Sequence, residues 1–139
     1  MKINLLEVRE ATGIVIKSPR TVLKGMGDEI RADRECFWVL HLNTHYAVIE
    51  KELISIGILD AAVIHPREVF KRAILNSAKA IITVHNHPSG NTQPSENDKF
   101  IWSKLRESGE ILDIEVLDNL IVTPQGNFYS EKESREREI

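Results

Sequence analysis

Apolar residues along this chain follow two periods. Cys36-Phe37-Trp38-Val39-Leu40-His41-Leu42, Ala80-Ile81-Ile82-Thr83-Val84 and the stretch from Ile114 to Val122 are short apolar runs rich in β-branched and aromatic residues, and they predict strands. Tyr46-Ala47-Val48-Ile49-Glu50 follows the first of them after Asn43-Thr44-His45, a turn by composition. The two runs therefore predict a β-hairpin whose second strand continues toward Ile54. Gly13 to Lys17 predicts a short first strand, and Pro124-Gln125-Gly126-Asn127 turns the chain into Phe128-Tyr129. Elsewhere the period is helical. Ser18-Pro19 offers an N-cap and N1 pair for a helix carrying Val22, Leu23, Met26 and Ile30 on one side. From Pro66 to Ala78, Val69, Phe70, Ala73, Ile74 and Ser77 form one stripe, with Lys71, Arg72 and Asn76 outside it. A third helix is predicted from Ser95 to Ser108, closed by Gly109 at C′.

Strands and helices alternate in the second half, whereas the first half holds a hairpin. The expected fold is α/β, a mixed β-sheet flanked by helices. The expected organisation is a lead-in and first strand over 1–17, one domain over 18–130 and a charged tail over 131–139. A chain of 139 residues can bury roughly two-thirds of its unfolded surface without covalent staples. The single cysteine, Cys36, excludes an internal disulfide framework and a multi-cysteine zinc site, and suits a reducing cytoplasm. The apolar stretch in Met1 to Glu7 is too short for a signal peptide, and no run approaches a membrane span, so a soluble, cytoplasmic protein is expected. A net charge of −3 argues against avid DNA binding, which depends on neutralising phosphates with Lys and Arg. Lys71, Arg72 and Lys79 are read as a solvated helix face.

The candidate chemistry lies at the end of the strand over 80–84. His85 and His87, two apart, leave its carboxyl end on the same side, while Asn86 points the other way. Pro94-Ser95 looks like a helix start, which places Asp98 in the first turn facing back toward the strand. Ser95-x-x-Asp98 is also a capping box, a role compatible with metal binding by Asp98. Two imidazoles and a carboxylate make three protein ligands, the number a catalytic zinc site uses when its fourth tetrahedral position stays open for water. H-x-E with P-C-x-x-C, the zinc deaminase pattern, is absent, as are HExxH, a G-x-S-x-G nucleophile setting and a phosphate-binding loop.

His85-x-His87-Pro88 followed by Ser95-x-x-Asp98 resembles the H-x-H-P…S-x-x-D motif of the JAMM/MPN+ metalloenzymes. His85-Asn86-His87-Pro88-Ser89-Gly90 with Pro94-Ser95, and Val63-Ile64-His65-Pro66-Arg67-Glu68 upstream, are similar to the bacterial RadC branch of that family. The resemblance runs from about Ser18 to about Tyr129. It implies the α/β/α MPN fold, cytidine-deaminase-like in architecture, with Zn²⁺ on His85, His87 and Asp98. It also implies a glutamate general base on an earlier strand, before Gly57. Glu52 matches, with Glu50 on the same strand face as the second choice. Glu52 would take a proton from the metal-activated water and Ser95 would help hold the oxyanion.

The function implied is zinc-dependent hydrolysis of a peptide or isopeptide bond in a protein or peptide substrate, with a homo-oligomer admissible. Two other readings stand beside it: a RadC-type DNA repair or recombination accessory protein, and a non-catalytic MPN interaction module. Longer relatives carry an upstream helix-hairpin-helix segment associated with DNA that this sequence does not show, so DNA binding inherited from that segment is not expected. Asn119 replaces the His that many relatives place after an Asp.

Overall fold

The computed structural model describes residues 2–3, 6–7, 9–57 and 63–137. Two short strands, β1 (Lys2–Ile3) and β2 (Leu6–Glu7), pair with each other. The main sheet has six strands in the order β3-β5-β4-β6-β7-β8. These are β3 (Arg9–Glu10), β4 (Cys36–Leu42), β5 (Val48–Ile56), β6 (Ala80–Asn86), β7 (Glu115–Val122) and β8 (Phe128–Ser130). All neighbouring pairs are antiparallel except β6 and β7, which are parallel and joined by a helix. The sheet is therefore mixed, and helices flank it: the expected α/β architecture, consistent with a JAB/MPN domain.

The hairpin forms as its turn composition requires. Asn43 Oδ1 accepts from the N–H groups of His45 and Ala47, closing the turn between β4 and β5. The segment from Gly13 is less regular than expected. It makes ladder hydrogen bonds to Tyr46 and Val48 but only one bridge, Val15 to Ala47, and lies beside the hairpin without becoming a strand. The lead-in contributes β3, which extends the sheet beyond β5.

Helix α1 (Pro19–Met26) begins after Ser18, and a 3₁₀ turn over Gly27–Arg31 continues it to Ile30. With Ile16, Val22, Met26 and Ile30 it covers one face of the sheet, against Cys36, Trp38, Leu40 and Leu42 of β4 and Ile82 and Val84 of β6. Helices α2 (Pro66–Leu75) and α3 (Glu96–Leu112) cover the other face, packing Val69, Phe70, Ala73, Ile101, Trp102 and Leu105 on Phe37, Val39, Ile81 and Ile121. The alternation along β4 divides its side chains between the two cores. The charged tail starts with α4 (Glu131–Arg137).

Gly109 does not end α3. The helix runs on to Leu112 and stops at Asp113, which adopts the left-handed conformation (φ 61°). The reason for a glycine at 109 is proximity: a Cβ there would stand 2.5 Å from the Ile114 carbonyl oxygen, where the chain turns back into β7. Among the described residues no helix is long and apolar enough to cross a membrane.

Candidate metal centre

Strand β6 carries its apolar run to the point where the pattern changes to His85-Asn86-His87. His85 is buried on the α3 side of the sheet, in line with Ile81 and Thr83, and its ring lies 6.5 Å from that of Phe37. His87 follows the last residue of β6; its N–H donates to the Val122 carbonyl, which ties the turn to β7. The two imidazoles meet edge to face, centroids 4.7 Å apart.

Asp98 reaches the pair from α3 through the capping box. Ser95 Oγ accepts from the Asp98 N–H at 3.0 Å, and Asp98 Oδ2 accepts from the Ser95 N–H at 2.9 Å. The same carboxylate lies 3.1 Å from His85 Nδ1 through Oδ1 and 3.5 Å from His87 Nε2 through Oδ2. Burial opposes its ionisation, but the contacts to His85 and His87, with the Ser95 N–H, hold the Asp98 carboxyl well below the usual carboxylate range. Asp98 in turn pushes the His87 imidazole up, against the effect of burial.

The contacts orient each ring. His87 Nδ1 lies 2.6 Å from the Asn91 carbonyl oxygen, which can only accept, so Nδ1 carries the proton and Nε2 is the nitrogen that faces Asp98 Oδ2. His85 Nδ1 lies 3.1 Å from Asp98 Oδ1, a separation that suits either a hydrogen bond or two ligands of one ion. His85 Nε2 is buried without a hydrogen-bond partner among the described residues. His87 is thus oriented through one nitrogen and available for a metal at the other.

A fourth group completes the cluster, and sequence reasoning missed it. Glu35 stands immediately before β4, and its Oε1 is 3.8 Å from His85 Nε2. Glu35, His85 and His87 each offer a ligand atom, and these atoms lie within 4.8 Å of one another. The antiparallel register brings them together: Phe37 pairs with His85, so the amino end of β4 adjoins the carboxyl end of β6. The available signal is an acid at the head of a mostly apolar, fully buried strand, but using it requires knowing that β4 and β6 are neighbours.

Glu52, expected as the base, does not join this cluster. It pairs with Val39, which pairs with Thr83, so it lies two strands from β6 and below the level of His85. Its carboxylate faces His41 Nε2 at 3.7 Å and Arg9 Nε at 3.8 Å. Counting back from Gly57 selected a residue of β5, whereas the backbone N–H of Gly57 itself bonds the carbonyl of Glu35. Glu50, the second choice, is also absent from the site: its carboxylate is held by Arg72 at 2.5 and 2.9 Å. His85, His87, Asp98 and Ser95 are the predicted residues that the fold brings together.

Comparison with known proteins identifies the family. The model of the family described as RadC-like JAB domain matches residues 16–136. A UPF0758 protein of Chlorobium chlorochromatii is 53% identical over 100 residues, covering 72% of this chain and 45% of that protein. One from Moorella thermoacetica is 48% identical over 120 residues, covering 86% and 52%. One from Methanosarcina mazei is 41% identical over 119 residues, covering 85% and 52%. The chain thus spans about half the length of these relatives, and it belongs to the family of RadC-like JAB domains.

Proposed function

We propose that this domain is a zinc-dependent hydrolase that cleaves a peptide or isopeptide bond. The observation that carries the reading is the convergence of two imidazoles and two carboxylates around the buried His85 and Asp98, with the Nε2 of His85 left without a hydrogen-bond partner among the described residues. Two imidazoles and a carboxylate are a donor set that fits zinc. His85, His87 and Asp98 would hold the ion. Bound there, zinc would supply Lewis acidity that lowers the pKa of water toward about 7.

The remaining roles fall to the chain's own groups. Glu35, with 39% of its side chain exposed, is reachable from solvent and within range of His85. Its carboxylate takes the proton released from the attacking water and passes it to the leaving amine nitrogen. Ser95 Oγ accepts from the Asp98 N–H, which leaves its own proton free to donate to the substrate carbonyl oxygen as negative charge develops there. The Asp98 carboxylate, at the amino end of α3, is favoured as an anion by the helix dipole as well as by its hydrogen bonds.

The test is zinc loading followed by incubation with a ubiquitin-like protein joined through its C-terminus to a lysine ε-amine, and with a mixed peptide substrate. Cleavage that disappears with chelator and returns with zinc is the expected result. A stoichiometrically zinc-loaded domain that cleaves neither, yet retains a protein partner, would favour the interaction-module reading.

A further inference from the structure

We propose that Asn86 is a positioning residue that sets the place of the Glu35 carboxylate. The inference rests on the reading of Glu35 as the base, and it concerns the residue between the two histidines that faces away from them. Asn86 is fully buried at the end of β6. Its Oδ1 accepts from the Cys36 N–H at 2.6 Å, and its Nδ2 donates to the Arg34 carbonyl at 3.0 Å and the Ala32 carbonyl at 3.4 Å. The side chain therefore holds the residue before Glu35 and the residue after it. Glu35's own carbonyl accepts from the Gly57 N–H at 2.7 Å.

These bonds lie where regular pairing stops. The last β4–β6 partners are Phe37 and His85, and beyond them the Asn86 amide replaces the ladder. A carboxamide of this length fits the task because it accepts at one atom and donates twice at the other. Aspartate would keep the acceptor but lose both donors and bury a charge; alanine would lose all three bonds. One tripeptide thus serves both halves of the site: His85 and His87 approach the metal position, and Asn86 fixes the backbone that carries the base. Because Asn86 faces the opposite side of the sheet, its removal leaves the histidines and Asp98 in place.

The test compares Asn86→Ala, Asn86→Asp and Glu35→Gln with the unmutated protein, each loaded with Co²⁺ as the probe. Asn86→Ala is expected to bind one Co²⁺ per chain, with its visible absorption band shifted toward that of Glu35→Gln. Amide exchange at Cys36 should quicken by about tenfold or more, the loss expected for a buried hydrogen bond. On the isopeptide-linked substrate kcat should fall by about tenfold while KM stays within about twofold. Asn86→Asp, which keeps the bond to Cys36, should lie between; if Asn86→Ala does not fold, Asn86→Asp alone decides, and a band unchanged from the unmutated protein overturns the proposal. A Glu35→Gln shift with no shift in either Asn86 variant sinks the positioning role and spares the base. An unshifted, fully active Glu35→Gln removes the base reading, and the proposal with it. Loss of Co²⁺ from a folded Asn86→Ala protein would make Asn86 a support of the metal ligands and also overturn it.

Discussion

Two groups of imidazole and carboxylate share the α2–α3 face of the sheet, and they are neutralised in different ways. At the end of β6, the Asp98 carboxylate meets His85, His87 and the Ser95 N–H; Glu35 adds a second carboxylate to the same cluster. Two strands away, Glu50 and Glu52 of β5 lie beside His41, but Arg72 forks onto Glu50 and Arg9 approaches both acids. The Arg72 guanidinium pulls the Glu50 carboxyl down, while burial and then the neighbouring Glu50 push Glu52 up. His41 Nδ1 accepts from the Asn76 amide, so its proton sits on Nε2, facing Glu52. The group on β5 carries its own cations and closes on itself. The group on β6 presents nitrogen lone pairs and carboxylates, which is the chemistry that recruits an external cation. A buried His beside a Glu is therefore not by itself a site; what else neutralises the acids decides.

Four experiments sharpen or break this contrast. The largest effect is expected for the two candidate bases. Glu35→Gln should keep its zinc and lose hydrolysis by roughly two to four orders of magnitude, while Glu52→Gln stays within about threefold of the unmutated rate. The reverse pattern would restore the base to β5. Next is the ligand question: Asp98→Asn should weaken zinc at least about 100-fold, measured by competition with a chromophoric chelator, whereas Glu35→Gln should change it by under about tenfold. If Glu35→Gln loses the metal and Asp98→Asn retains it, Glu35 is the third ligand and Asp98 orients His85.

The β5 group should answer in stability. Arg72→Met strips Glu50 of its charged hydrogen bonds and should cost about 1–3 kcal/mol in urea unfolding, with zinc content unaltered. Zinc loss in that variant would link the two groups. The smallest effect concerns pH. Burial pushes the His41 imidazole down to about 4, opposed by Glu50. Its folded-state value is depressed, so the stability of keeping it neutral is complete above about pH 6.5 and is lost as pH falls toward 4. That amounts to at most about 3 kcal/mol, and the raised Glu52, which takes up a proton more readily in the folded state, offsets part of it. Urea unfolding at pH 7 and pH 4.5 should show a smaller acid loss for His41→Gln than for the unmutated protein. Parallel losses would show that His41 does not titrate in this window.

What the sequence disclosed follows from the range of the interactions involved. His85, His87, Ser95 and Asp98 lie on one strand, one turn and one helix start, so local periodicity and capping chemistry bring them together. Glu35 reaches them only through the pairing of β4 with β6, fifty residues apart in the Cys36–Asn86 contact, and no local pattern encodes that register. The resemblance supplied the need for a glutamate but not its position, and counting within β5 led to Glu52. Gly109 failed for a related reason: a glycine near the end of a helical pattern reads as a cap, whereas its role is set by the Ile114 carbonyl against which the helix packs. The charges buried on the α1 side, Lys51 paired with Glu29, likewise depend on a contact between a 3₁₀ turn and a distant strand.

The most direct measurement is the metal content of the protein purified without chelator, with His87→Ala and His41→Ala alongside it. About one zinc per chain is expected in the unmutated protein, the same in His41→Ala, and almost none in His87→Ala. No enrichment of zinc in the unmutated protein, or loss of it from His41→Ala with retention in His87→Ala, would contradict this expectation.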